Sequence, residues 1–481
     1  MSFRPVFYVV GLLLCILSGL MLIPIVSDLL FFSIDTHEAF AVSAGITIIT
    51  GLLLVYYCKP KHFSLRPREM FLLTNVVWLS LCVFGALPFV LQMDMSFTDA
   101  FFETMSGITT TGSTVLTGLD TMNPAILLWR SELQWLGGIG FVVVAVAILP
   151  FLRVGGMRLF QSESSDWSDK AIPRSRVLAR KVVELYIGLS FACALAYFLG
   201  GMTVFEAINH AMTTLSTGGF STSDASMGHF SNPAIQWTGA LFMLLGSLPF
   251  VLLVRFLSGK TDELYKDVQV RLFFKGLIGV WVFLTVWLLF NSDYSIFEAL
   301  TLVAFNTTSV VSTTGYAFTD YTLWGGFAGA FIFFLSFVGG CSGSTAGGVK
   351  VFRFQIGMKV LNNQLKLLSH PRACFNMTYN GQTMTPEIIR SFSSFSFFFL
   401  VLVSIVTLLL CFMGVDFMTS LSGAVTAIAN VGPGIGDTIG PAGNFATLPD
   451  AAKWVLAIAM LMGRLEIMTV LVLFTPICWK N

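Results

Sequence analysis

The strongest constraint on this chain is a recurring run of about 20 apolar residues, long enough as a helix to cross a hydrocarbon core of about 30 Å. Such runs fall near residues 7–32, 39–57, 70–92, 126–151, 182–200, 234–256, 272–291, 388–413 and 452–476. A further run near 324–368 is interrupted by Gly339-Gly340-Cys341-Ser342-Gly343-Ser344-Thr345-Ala346-Gly347-Gly348, a sequence that no continuous helix would choose. With 55% hydrophobic and 11% charged residues and a mean hydropathy of +0.81, the chain is far more apolar than a soluble domain. These features predict an all-α polytopic membrane protein with ten spans.

The charges are distributed asymmetrically. Lys59, Lys61, Arg66 and Arg68 lie in one connection, and Arg153, Arg158, Lys170, Arg174, Arg176, Arg180 and Lys181 in the next on the same side. Later connections on that side carry Arg255, Lys260, Lys266, Arg271 and Lys275, then Lys350, Arg353, Lys359, Lys366, Arg372 and Arg390. The excess of positive charge makes this side, and both termini, cytoplasmic. Opposite connections are acidic, with Asp35, Glu38, Asp94, Asp99, Asp120, Asp224, Asp293, Asp320, Asp416, Asp437 and Asp450. An acidic outer mouth would concentrate cations. The basic residues do not gather on one domain, so there is no nucleic-acid footprint.

Between two spans, Ser96 to Thr114 is too polar to cross the membrane and too apolar for a surface loop. Ser96 and Asp99 form a helix start, with Phe97, Ala100, Phe101 and Met105 as an apolar face. The half-helix then gives way to Thr109-Thr110-Thr111-Gly112-Ser113. Non-helical backbone at membrane depth is tolerated where it lines a watery cavity or is buried in protein, so this run is a candidate pore lining.

The pattern recurs three times. Thr203 to Ala207 starts a half-helix ending at Ser216-Thr217-Gly218, Ser295 to Ala299 one ending at Thr313-Thr314-Gly315, and Asp416 to Ser420 one ending at Asn430-Val431-Gly432. Half-helices of about 10 to 16 residues reach about 15–24 Å, part-way through the membrane. Their negative C-terminal ends then point at its centre, where a cation is otherwise expensive. Glycines at 112, 218, 315 and 432 allow backbone angles that turn successive carbonyls toward an axis. Four units of span, half-helix, glycine-containing run and span predict a pore built from one chain, with boundaries 67–175, 176–265, 266–380 and 381–481 after a two-helix extension at 1–66.

These motifs resemble the Trk/Ktr/HKT superfamily of potassium transport proteins, and within it the bacterial TrkH-type subunits. The residues carrying the resemblance are TTTG, GGFST, TTGY and NVGPG in the four loops, GGCSGSTAGG in the interrupted span, and Met462-Gly463-Arg464-Leu465-Glu466 in the last. The resemblance implies four pseudo-symmetric helix-pore loop-helix repeats around a central K⁺ pathway in the bacterial inner membrane. It assigns filter carbonyls to Thr110, Thr111 and Gly112; Ser216, Thr217 and Gly218; Thr313, Thr314 and Gly315; and Asn430, Val431 and Gly432. Glycine in every filter goes with potassium preference in the family, and serine in the first with sodium permeability. The loop Gly340, Cys341, Ser342, Gly343, Ser344, Thr345, Ala346, Gly347 and Gly348 becomes a gate below the filter, with Arg464 beside it repelling cations when the path is shut. A homodimer and a TrkA-type cytoplasmic nucleotide-binding subunit are the implied partners.

Other chemistries find little support. Gly343 to Gly348 lacks the Lys-Ser/Thr that completes a P-loop, and there is no G-x-S-x-G elbow. The eight cysteines include no C-x-x-C pair, and the five histidines no H-x-x-x-H. The expectation is therefore a transporter and not an enzyme, with K⁺ as its ion, no transition-metal site and no organic cofactor. A symporter coupling K⁺ to H⁺ or Na⁺ is the alternative, with inverted repeats and midplane carboxylates as its signature. Arg130 and Glu132 are expected at the interface, near the start of a span. Arg464, near the middle of one, is costly there and so is a functional candidate.

Overall fold

The computed structural model describes residues 3–28, 37–61, 65–147, 171–372, 376–380 and 382–479. Asp35, His62, Arg153, Arg158, Lys170 and Cys374 lie outside the described residues. The architecture is helical and multi-pass. Six described helices are long and apolar enough to cross a membrane: Arg4–Ser27, His37–Cys58, Pro67–Met93, Val177–Leu199, Val268–Asn291 and Pro386–Phe412. A short antiparallel strand pair, Thr378–Tyr379 with Gln382–Thr383, interrupts the helical pattern in one connection. Side chains such as Ile49, Phe191, Phe290, Leu408 and Phe412 are exposed on the helix surfaces, as expected for a chain with lipid as its outer solvent.

The first two spans pack against each other through glycine. A Cβ added to Gly11 would meet the Gly51 carbonyl oxygen at 2.7 Å, and one on Gly51 the Gly11 oxygen at 2.9 Å. Small residues let the two backbones approach, which is how helices associate where lipid removes the hydrophobic drive.

Four short helices then occupy the centre: Phe97–Ile108, Val204–Leu215, Ile296–Val311 and Phe417–Ala429. Ser96 accepts from the Asp99 amide, Thr203 from Glu206, Ser295 from Glu298 and Asp416 from Thr419. Thr203 and Ser295 complete reciprocal capping boxes with Glu206 and Glu298. The caps satisfy orphan amides, and their side-chain hydrogen bonds hold the Glu298 and Asp416 carboxyls below the usual range. At 12, 12, 16 and 13 residues these helices are about 18–24 Å long, too short to cross.

Two runs expected to be continuous spans are sharply bent. Pro233–Gly246 and Phe250–Leu257 meet at 99°, and Asp450–Arg464 and Ile467–Phe474 at 110°. The first break falls at Ser247-Leu248-Pro249, where proline has no amide to continue the helix. At the second, Glu466 takes a φ of +65°, which a right-handed helix cannot contain. With the loop between Gly326–Leu335 and Val351–Ser369, the second apolar runs of three repeats are broken. Hydropathy averages over a window and therefore reveals only the longest of these breaks.

Candidate ion pathway

All four short helices end in the same way. Thr110, Thr217, Thr313 and Asn430 take φ values of 52°, 53°, 59° and 54°. The amide of each bonds back three residues, to Gly107, Thr214, Val310 and Ala427, and the next amide bonds back five, to Ser106, Thr213, Ser309 and Thr426. This is the Schellman termination, usually built on glycine. A β-branched threonine in the left-handed region costs about 1–3 kcal/mol, and three of the four sites carry one. Strain repeated at equivalent positions points to a functional requirement.

Two residues further on, each run contains a glycine with positive φ: Gly112 at 88°, Gly219 at 78°, Gly315 at 80° and Gly432 at 101°. A Cβ on Gly112 would clash with the carbonyl oxygen of Gly218, one on Gly219 with that of Thr314, one on Gly315 with that of Val431, and one on Gly432 with that of Thr111. The contacts run from repeat 1 to 2, 2 to 3, 3 to 4 and back to 1. The four runs therefore close a ring in which each ring glycine lies against a backbone carbonyl of the neighbouring run.

The ring corrects the register of the second repeat. The equivalent of Thr110-Thr111-Gly112 is Thr217-Gly218-Gly219, one residue later than Ser216-Thr217-Gly218. Ser216 is the last residue with helical angles, matching Thr109 and Ser312. The double glycine hides the shift in sequence, because either glycine satisfies a pattern that asks for one.

A family model described as TrkH, cation transport protein, matches residues 36–479. The chain belongs to the TrkH family of cation transport proteins. It is 49% identical over 479 residues to the Trk system potassium uptake protein TrkI of Halomonas elongata, covering 99% of this chain and 97% of that one. It is 37% identical over 488 residues to the Trk system potassium uptake protein TrkH of Escherichia coli K12, covering both chains completely. The crystal structure of the potassium transporter TrkH from Vibrio parahaemolyticus superposes with a TM-score of 0.92 at 35% identity over the whole of both chains.

Outside the ring of this TrkH-family chain lies a cavity of about 350 Å³, lined by Gly112, Gly219 and Gly315 together with Thr114, Ser221, Asp224 and Pro433. Among the described acidic residues expected at the outer mouth, Asp224 lines this cavity. Asp99 instead pairs with Lys453 at 2.6 Å, tying the first short helix to the last span. Arg130 is not interfacial. It is 1% exposed, and its Nε donates to Glu103 at 2.8 Å while its other nitrogens donate to Ser221 O and Thr114 Oγ1. Glu103 in turn accepts from the Thr114 hydroxyl and the Val115 amide, so a buried ion pair braces the first and second runs above the ring. Glu132 is buried as well. The partners are 27 residues apart, a separation that helical spacing rules do not reach.

On the other side of the ring lies the interrupted span of the third repeat. The loop expected at 340–348 docks into the bend of the second repeat: Cys341 N donates to Ser247 O, Thr345 N to Gly246 O, and Phe250 N to Gly343 O, at 2.9, 3.1 and 3.0 Å. Backbone groups freed by two helix breaks thus satisfy each other inside the membrane. The loop also grips the ring's base. Thr345 Oγ1 contacts Thr217 Oγ1 at 3.2 Å and donates to Leu215 O, while the Gly347 amide donates to Thr313 Oγ1 at 2.6 Å. The strained threonines are therefore the loop's anchors.

Arg464 closes the arrangement from the last span. It is 2% exposed, donates to Thr345 O at 2.6 Å and to Gly137 O at 3.4 Å, and lies over the Phe141 ring at 4.2 Å. Lys350 donates to Ala346 O from the loop's end. Glu466 pairs with Arg353 at 2.5 Å and not with Arg464, two positions away in sequence. Sequence gave no sign of Asn430's side chain either, which donates both to Thr111 Oγ1 and to Met460 O at 2.9 Å.

Proposed function

We propose that this chain takes up K⁺ across a bacterial inner membrane, with the ring as its selectivity filter and the 340–348 loop with Arg464 as its gate. The observation that carries the reading is the closed ring of four glycines against four carbonyls. It offers backbone oxygen in place of an ion's hydration water and leaves no room for a side chain. The filter residues are Thr110, Thr111, Gly112; Thr217, Gly218, Gly219; Thr313, Thr314, Gly315; and Asn430, Val431, Gly432. Four negative helix ends aimed at the ring favour a cation there. The names of the relatives, potassium uptake proteins and a potassium transporter, support K⁺ as the ion.

In this reading each pore repeat has the boundaries 67–175, 176–265, 266–380 and 381–481, after a two-helix extension at 1–66. The lysine- and arginine-rich connections and both termini face the cytoplasm, where a TrkA-type nucleotide-binding subunit docks, and the chain works as a homodimer. The test is initial-rate uptake of K⁺, Na⁺ and Rb⁺ into proteoliposomes, with and without an imposed proton gradient. A filter requires K⁺ preference that falls when Gly112 becomes Ser. Unchanged preference in that variant would remove the filter assignment, and uphill K⁺ movement driven by the proton gradient alone would favour a symporter.

A further inference from the structure

The four filter strands are not supported alike. In the first and third, the residue before the ring glycine is threonine, and its hydroxyl is held: Thr111 Oγ1 by Thr109 Oγ1 at 2.8 Å and by Asn430 Nδ2 at 2.9 Å, Thr314 Oγ1 by Ser312 Oγ at 2.7 Å. In the second that residue is Gly218, with no side chain to hold. Its place is taken by Gln134, on the helix Pro124–Ala147 of the first repeat. Gln134 is fully buried, its Nε2 donates to Gly218 O at 2.6 Å, and its Oε1 accepts from Phe220 N at 3.0 Å. The two bonds straddle Gly219, the ring glycine, and fix the peptides on either side of it.

The fit is close. A Cβ on Gly218 would meet Gln134 Oε1 at 2.5 Å and Nε2 at 2.8 Å. The double glycine of this loop thus has two separate causes: Gly219 makes room for the neighbouring strand, and Gly218 for a side chain from the preceding repeat. The Gly218 carbonyl held by Gln134 is also the one that lies against Gly112. One amide group therefore links the second strand's carbonyl to the first strand's glycine.

We infer that Gln134 is a specificity-determining positioning residue, which holds the Gly218 carbonyl in the ring and so sets how strongly the ring distinguishes K⁺ from Na⁺. Carbonyls separate two cations of equal charge only through their number, spacing and field strength. Gln134 acts on spacing, by fixing the peptide plane, and on field strength, by sharing the Gly218 oxygen with an N–H donor. The inference rests on the reading of the ring as a K⁺ filter.

The test is Gln134→Met, which keeps the length of the side chain and removes both hydrogen bonds, in the proteoliposome uptake assay. The expected result is a K⁺/Na⁺ rate ratio lowered about tenfold, equivalent to about 1.4 kcal/mol, with K⁺ uptake still measurable. Gln236→Met is the comparison. Gln236 is equally buried on the corresponding span of the next repeat, but bonds to Phe230 O away from the ring, and its ratio should match wild type. General loosening would lower both ions' rates together and leave the ratio unmoved. If Gln134→Met does not accumulate, Gly218→Ala, whose Cβ displaces the Gln134 amide, carries the same expectation. A wild-type ratio in the Gln134 variant, or an equal fall in Gln236→Met, would overturn the inference. A wild-type protein without K⁺ preference would instead overturn the filter reading beneath it.

Discussion

Replacing Arg464 by Lys separates two ways in which one residue can keep a pathway shut. If Arg464 acts only as a charge that repels cations, lysine should serve as well, since both are cations at neutral pH. If it acts by holding the loop, lysine should fail in part. The guanidinium donates to Thr345 on the loop and to Gly137 on the first repeat's span, while its face lies over Phe141. A flexible ammonium does not reproduce a planar fork and a stacked face together. A hydrogen bond to a charged group is worth about 1.5–3 kcal/mol. If opening the loop requires the Thr345 bond to break, losing it shifts the closed-to-open balance by about 10- to 100-fold. The assay is K⁺ efflux from loaded proteoliposomes containing the chain alone, comparing wild type, Arg464→Lys and Arg464→Met. Holding predicts raised flux in both variants, with Met at least equal to Lys. Wild-type flux in Arg464→Lys with raised flux in Arg464→Met would refute the holding role and leave charge as the whole effect.

Other perturbations test neighbouring parts. Thr313→Val removes the acceptor of the Gly347 amide and leaves a buried donor unpaired at about 1–3 kcal/mol, so flux through the same assay should rise. Gly219→Ala places a Cβ on the Thr314 carbonyl at a φ of +78°, and K⁺ uptake should fall to background in membranes that still contain the protein. Glu103→Gln leaves Arg130 buried without its counter-charge, and thermal melting in detergent should show a loss of about 3–5 kcal/mol, partly recovered when Arg130→Met is added. Asp416→Ala removes the cap of the fourth short helix and should lower stability by about 0.5–2 kcal/mol by the same measurement.

Much of this molecule is legible before any fold is known, because the membrane enforces local rules. A span must be apolar over about 20 residues, and a helix that stops short must be capped and must end in residues that tolerate unusual backbone angles. Caps at Ser96, Thr203, Ser295 and Asp416, small-residue runs after each, and the broken 339–348 segment all follow from neighbours in sequence. They determine the helical class, the four repeats and the place of the loop. Register within the second repeat did not follow from the motif, since either Gly218 or Gly219 satisfies a pattern that asks for one glycine. The positive φ of Gly219 and its contact with Thr314 on the next repeat separate them.

Partnership between residues distant in sequence was decided by tertiary structure alone. Arg130 looked interfacial until Glu103 was brought beside it, and the bends at Ser247 and Glu466 were hidden in apolar runs. The physical reason is the same in each case. Hydropathy and capping depend on a few residues within one or two turns, whereas neutralising a buried charge or satisfying a broken helix requires groups from elsewhere in the chain. The anchoring of the 340–348 loop by Thr217, Thr313 and Arg464 draws on three repeats, and no single repeat contains it.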